Sequence, residues 1–358
     1  MTELSHIESP LVAGPTRSLE SLFADWLYVP VDERNGRHYP APDGYTLFCG
    51  LPGTLGRDRA LFVLPHEAVR VAAESRLANG VIGSFRCVRS ARYMKDDLLP
   101  VYVTDPQPIS AEQFGVAHDP EFVADILSGR RRNGFGNRSP AVAASLPLTS
   151  GAMLSAAREA LRNEIGAIAP CSGFHHAGYD FAGGYCTFNG LMVTAAVLLA
   201  EGKARKVGIL DFDQHWGNGT QDIIDRLRLG EAVVHYSPGE YSRPGKAEAF
   251  LAAIPKLLGR FAGCDLVLYQ AGADPHIDDP LGGWLTTEQL YRRDRAVFEW
   301  LKRLAIPVAW NLAGGYQRDM DGSIRPVLDI HDNTMVAFVE AHGHAEIPAS
   351  PFARKKAA

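Results

Sequence analysis

Four stretches of this sequence gather ionisable and phenolic side chains: CSGFHHAG (171–178), DFDQHWGNGT (211–220), GADPHIDDPLGG (272–283) and AGGYQRD (313–319). In an extended backbone alternate side chains share a face, so Asp211, Asp213 and His215 can point the same way. Two carboxylates on one face repel unless a cation neutralises them. A divalent metal is one solution, and a histidine with two acids suits a catalytic ion that keeps a position open for water. Asp274, ending another strand-like run, can complete the set. Taken alone, DFDQH reads equally well as a solvated surface turn; the three companion clusters favour a site.

The tandem His175–His176 lies between Gly173 and Gly178. A lone histidine is more often a hydrogen-bonded structural residue, but imidazole titrates near neutrality and is the usual general base or acid. An aspartate on one imidazole would fix its tautomer. Tyr316 follows two glycines, which let the backbone turn sharply and aim the phenol. Its hydroxyl could donate to an oxyanion. On its own, Tyr316 reads better as a packing residue after a turn.

Each cluster follows a strand-like run, at 166–169, 206–211, 265–271 and 306–312. These runs, rich in Val, Ile and Leu, alternate with helical patterns, as expected of βαβ units and a mostly parallel sheet. Helices are predicted at GAMLSAAREALRNEI (151–165), NGLMVTAAVLLAEGKA, TQDIIDRLRLG, KAEAFLAAIPKLLGRF, TTEQLYRRDRAVFEWLKRLA and IRPVLDIHDNTMVAFVEAHG, with a further strand at AVVHYS. In open parallel α/β sheets, ligands bind at the carboxyl ends of strands. Residues 1–150 are more irregular, with loop-like DERNGRHYPAPDGY (32–45) and GRRRNGFGNRSP (129–140), and helices at LPHEAVRVAAESRLANG (64–80) and EFVADILSG. The expected class is α/β: a single three-layer domain over 1–358, with a core at 150–342 and with 1–150 supplying first strands and rim loops.

The bulk properties narrow the function classes. The chain of 358 residues is 46% apolar, enough for a large core, and its net charge of −5 argues against non-specific binding to nucleic acid or an anionic membrane. No run of 18 apolar residues marks a membrane span, and the N-terminus lacks a secretory pattern, so a cytoplasmic protein is expected. Five scattered cysteines (Cys49, Cys87, Cys171, Cys186, Cys264) with no CxxC pair point to reduced thiols.

The motifs GFHHAG, GGYCTFN, DFDQHWGNGTQ, GADPHIDDPLGG and AGGYQ, in this order across 170–318, resemble the histone deacetylase superfamily, including bacterial deacetylase-like proteins and acetylpolyamine amidohydrolases. The resemblance implies the arginase–deacetylase fold. It makes Asp213, His215 and Asp274 the metal ligands, and His175 and His176 the tandem pair, with His176 the main base and acid. Asp211 would orient His175 and bind a structural K+ or Na+, and Asn218 would stand behind His176. Tyr316 would polarise the scissile carbonyl, while Gly184, Tyr185 and Tyr241 would line an acyl channel. Trp216 departs from a histidine common at that position, Asn137 falls near a substrate-holding aspartate of some members, and Arg34 or Arg37 would stand near the acetate exit.

The implied activity is metal-dependent hydrolysis of an amide, removing acetyl or another acyl group from acyl-lysine or an acylpolyamine. Zn2+ is the expected ion, and Fe2+ or Co2+ suit the same donors. No nucleic-acid or membrane partner is expected, and an oligomer is compatible with the sequence. The alternatives are a two-metal ureohydrolase of the same fold, for which DPHIDD offers Asp274, His276 and Asp278, and a non-catalytic binding homologue.

Overall fold

The computed structural model describes residues 106–169, 171–237, 243–320 and 325–342, with a two-residue antiparallel pairing of Val31–Asp32 and Arg37–His38. The expected helix at 64–80, most of the rim contributed by 1–150, and Tyr241 lie outside the described residues.

Five strands form one parallel sheet: β1 (Gly166–Ala169), β2 (Val207–Asp211), β3 (Val233–Tyr236), β4 (Leu266–Gly272) and β5 (Val308–Ala313), in the order β1-β5-β4-β2-β3. Strands β2, β4 and β5 are buried along their whole length. Their apolar runs are continuous rather than alternating because helices cover both faces. The helices are α1 (Ala111–Phe114), α2 (Pro120–Leu127), α3 (Pro140–Asn163), α4 (Gly190–Ala200), α5 (Asn218–Arg226), α6 (Ala247–Leu258), α7 (Thr287–Arg303) and α8 (Arg325–His342). α3 packs on α4 and on β1 and β5, while α7 packs between α6 and α8.

Local signals account for several helix starts. α7 opens with a capping box, in which the Thr286 hydroxyl accepts from Gln289 N and the Gln289 side chain accepts from Thr286 N. Its buried Leu290, Val297, Phe298 and Leu301 recur at helical spacing, and Lys302 and Arg303 sit at its negative end. The Asn189 side chain caps α4 through Met192 N, and every residue from Gly190 to Leu198 is buried.

One boundary differs by more than a few residues. α3 begins at Pro140 rather than Gly151 and runs through Pro147. Proline lacks an N–H and clashes with the preceding turn, so a helix across it is costly unless the freed groups find partners. The Ser145 and Thr149 hydroxyls donate to the carbonyls of Val142 and Leu146, and the Pro147 carbonyl accepts the Ile109 amide, bonds that brace the turns around the proline rather than replace the one it removes.

Candidate active site

The four clusters converge at the carboxyl end of the sheet. β2 stops at Asp211, and residues 213–215 bend instead of continuing extended. The expected sharing of one face by Asp211, Asp213 and His215 is therefore replaced by a side-chain-capped turn. Asp211 Oδ1 accepts from Asp213 N at 3.1 Å, and Asp213 Oδ1 accepts from His215 N at 2.9 Å. This turn sends Asp213 and His215 toward Asp274 and leaves Asp211 behind them. His215 Nδ1 lies 3.2 Å from Asp213 Oδ1 and 2.9 Å from Asp274 Oδ2.

Asp213 and Asp274 are buried, and His215 is half-buried. Burial raises the Asp274 carboxyl pKa, and the Asp213 charge adds to the rise. Burial works against charge on Asp213 too, but His175 and His215 outweigh it and hold that carboxyl below the usual range. Hydrogen bonds to Asp213 and Asp274 push the His215 imidazole up to about 10. The donor set fits a divalent ion: the three side chains each offer one ligand atom within 4.8 Å of the others, and two like charges this close call for a cation. A metal held here would displace the His215 proton. Among the described residues this is the one group of three or more such donors. The acids and histidine of DPHIDD do not extend it. His276 is committed to the Thr287 hydroxyl at 2.9 Å and to Asp278 N at 3.2 Å.

The two tandem histidines differ in their partners. His175 Nδ1 donates to Asp211 Oδ2 at 2.7 Å, with Nε2 3.6 Å from Asp213 Oδ1. Burial opposes its charge, yet Asp211 and Asp213 push it up to about 9. His176 Nδ1 donates to the neutral Asn218 oxygen at 2.6 Å. Burial and the neighbouring His175 lower its pKa. His175 is thus a held cation, and His176 a neutral imidazole with its proton on Nδ1 and Nε2 available as an acceptor.

Both histidines, Asp213, Gly184, Tyr185 and Tyr316 line one cleft. The Tyr185 ring is 6.3 Å from Tyr316 and 6.4 Å from Phe135. Burial, then the Asp274 and Asp213 charges, raise the Tyr316 phenol, so it stays a donor. Two glycines permit this crowding. A Cβ on Gly184 (φ +52°) would fall 2.3 Å from the His176 ring, and one on Gly314 (φ +55°) 2.4 Å from the Asp274 carboxyl. Trp216 is half exposed and packs 5.7 Å from His235. Asn137 folds back on its own turn, accepting from Asn133 Nδ2 at 2.7 Å.

The sequence reading missed Asp279, Gln270 and His118. Asp279 Oδ2 accepts from Tyr316 N at 2.7 Å. Gln270 spans the sheet end, donating to Asp211 Oδ1 at 3.2 Å and accepting from Phe174 N at 3.0 Å. His118 joins the loop after His176 to the α4 cap, donating from Nδ1 to Gly178 O and accepting from Asn189 N at Nε2, both at 2.9 Å. The acid pair in GADPHIDD was a usable signal for Asp279; Gln270 and His118 had none.

Five parallel strands, helices on both faces and this polar cleft at the carboxyl ends define an arginase–deacetylase-type α/β protein. Two solved structures share the fold. The HDA15 HD domain superposes with a TM-score of 0.52 at 20% identity, over 78% of this chain and 86% of that one. An acetylpolyamine aminohydrolase from Burkholderia pseudomallei gives 0.52 at 18%, over 77% and 91%. Residues 83–244 and 237–328 match the histone deacetylase domain, and the chain belongs to that family. An uncharacterised protein of Picosynechococcus is 28% identical over 245 residues, 62% of this chain and 81% of the relative. Acetylpolyamine amidohydrolase 1 of Pseudomonas aeruginosa is 32% identical over 170 residues, 40% of this chain and about half (48%) of the relative. No helix among the described residues is long and apolar enough to cross a membrane.

Proposed function

We propose that this protein is a metal-dependent amide hydrolase that removes acetyl or other acyl groups from an amine, either an acyl-lysine or an acylpolyamine. The observation that carries the reading is one cleft lined by Asp213, two histidines with contrasting partners and Tyr316, with His215 and Asp274 grouped on Asp213 as a donor set. Family membership supports amide hydrolysis, and the name of the Pseudomonas relative supports an acylated amine as substrate. Asp213, His215 and Asp274 would hold Zn2+, with Fe2+ or Co2+ suited to the same donors. Asp211, beside the Ser237 hydroxyl at 3.4 Å, would also hold a structural K+ or Na+. The chain is read as one domain, with 1–150 shaping the rim.

When bound, the divalent ion polarises the acyl carbonyl and lowers the pKa of water. His176 offers Nε2 to the proton of the attacking water, its opposite nitrogen fixed on Asn218. His175, held cationic by Asp211, offsets the negative charge that develops beside it. Tyr316 donates its phenolic proton to the oxyanion in a hydrogen bond. The proton gained by His176 then passes to the departing amine. Gly184 and Tyr185 form the wall along which an extended acyl chain would lie.

The test is hydrolysis of a panel of acetyl-lysine peptides and acetylated polyamines by protein reconstituted with Zn2+ or Co2+. Tyr316→Phe and His176→Ala should each lower kcat/KM by about a hundredfold or more. Near-wild-type activity in both would overturn the assignment.

A further inference from the structure

Arg293 in α7 is fully buried, in a protein where burying a guanidinium is costly unless its hydrogen bonds repay the lost water. Its bonds run to the two strand ends that carry the acidic members of the donor set. Nη1 donates to the Phe212 carbonyl at 3.1 Å and to the Gly272 carbonyl at 2.8 Å. Phe212 immediately precedes Asp213, and Gly272 stands two residues before Asp274. The β2–β4 ladder pairs its last residues at Asp211 and Gln270, with Phe212 N still donating to Gln270 O at 3.1 Å. Past this point β2 gives way to a loop, while β4 runs on to Gly272 paired with β5 alone. One nitrogen therefore ties the two segments together where the β2–β4 ladder no longer does.

The guanidinium is itself fixed. Nε donates to Asp294 Oδ1 at 2.7 Å, and Asp294 accepts from the Tyr269 hydroxyl of β4 and from the Thr334 hydroxyl of α8, the latter at 2.6 Å. The chain of contacts runs from α8 through Asp294 and Arg293 to the two carbonyls. Burial alone requires partners for the guanidinium but does not dictate which; Nη2 is left without a hydrogen-bond partner, whereas Nη1 meets two carbonyls, both on the segments that carry the acids.

We infer that Arg293 is a positioning residue for the metal ligands: by bridging the Phe212 and Gly272 carbonyls it sets the separation of Asp213 and Asp274. This rests on the reading of Asp213, His215 and Asp274 as the ligands. Residues behind metal ligands typically change affinity by about 10–100-fold when altered.

The test uses the full chain, stripped of metal and titrated with Co2+ against a chromophoric chelator. The Co2+ absorption spectrum and the thermal melt of the metal-free protein are recorded for each variant. Arg293→Met with Asp294→Asn removes both charges together, so no buried charge is left unpaired. Asp294→Asn alone keeps the Arg293 side chain and its reach to both carbonyls but weakens the contact that fixes it. The double variant should bind Co2+ at least about tenfold more weakly with an altered spectrum, and Asp294→Asn should bind Co2+ more tightly than the double variant. If the double variant fails to fold, Arg293→Lys decides: it keeps the charge but lacks the fork that reaches Asp294 and both carbonyls at once, and should show weaker Co2+ binding with little change in the metal-free melt. Unchanged affinity and spectrum in a folded Arg293 variant overturns the inference, as does failure of both variants to fold, which would assign Arg293 to the fold alone. Asp274→Ala separates the two levels. If it binds Co2+ like wild type, the ligand reading falls; if it loses Co2+ while the Arg293 variants do not, the ligand reading stands and this inference alone falls.

Discussion

Between two adjacent histidines of the same type, the group on Nδ1 decides which can accept a proton at neutral pH. His175 faces the Asp211 carboxylate, whereas His176 faces the neutral Asn218 amide. Asn218→Asp should raise the His176 pKa by placing a negative charge on its ring. The base must be unprotonated to act, so the acid limb of the kcat/KM profile should move up by about one pH unit, with activity recovered on the alkaline side. A profile measured from pH 5 to 9 checks this, and an unmoved limb would remove His176 as the titrating base. Asp279 acts through a backbone N–H, holding Tyr316 at 2.7 Å. Burial pushes its carboxyl up to about 6. Asp279→Asn weakens a charge-assisted bond without deleting it, and should lower kcat by about tenfold with KM within about twofold. Equal changes in both constants would point instead to substrate binding. At this scale the sequence was legible where side chains act directly. DFDQH, GADPHIDD and AGGYQ held the cleft residues. The expected geometry of DFDQH was wrong, because side-chain caps bend the chain after Asp211. Asp279 was passed over for its neighbour Asp278, because support given to a backbone amide leaves no spacing rule to tell the two acids apart.

At the scale of elements, the strands and most helices followed from apolar runs and caps. The start of α3 did not. A proline and several hydroxyls read as loop, and the Ile109 amide that bonds the Pro147 carbonyl is remote in sequence. His118 shows the same limit. It joins the Ala177–Gly178 loop to the start of α4 in a fixed neutral tautomer, because Nε2 must accept from Asn189 N. Burial lowers its pKa from 6.5 to about 4. The unfolded chain therefore binds a proton between these two values that the folded chain refuses. Its contribution to stability is fully present above pH 6.5 and is lost as pH falls toward 4, by roughly 3 kcal/mol at most. His235 and His331 are depressed by burial in the same direction, so they add to the wild-type slope. His118→Gln should remove about one proton from the slope of unfolding free energy between pH 4.5 and 6. Denaturant titrations at several pH values measure it, and an unchanged slope would show that His118 is not the titrating group.

At the scale of the molecule, the α/β class was readable from alternating strands and helices. The strand order β1-β5-β4-β2-β3 was not, because periodicity carries no information on which strands become neighbours. That order is what delivers Asp213 and Asp274 from adjacent strands to one point. It also creates a conflict: two carboxylates in a buried place, one of them raised by burial and by the other's charge. A divalent ion held there would resolve the conflict and would link folding to metal binding. Removing metal with a chelator should abolish hydrolysis and lower the melting temperature, and added Zn2+ or Co2+ should restore both. At about a thousandfold excess over Kd the ion adds roughly 4 kcal/mol. Asp274→Asn sharpens the expectation, since it removes one buried charge along with one donor. Without metal the variant should be as stable as wild type or more so; with Zn2+ it should be less stable. The order of the two melting temperatures should therefore invert when metal is added. If Asp274→Asn is the less stable protein in both conditions, the carboxylate repulsion is not what the ion relieves, and Asp274 serves the fold before it serves the site.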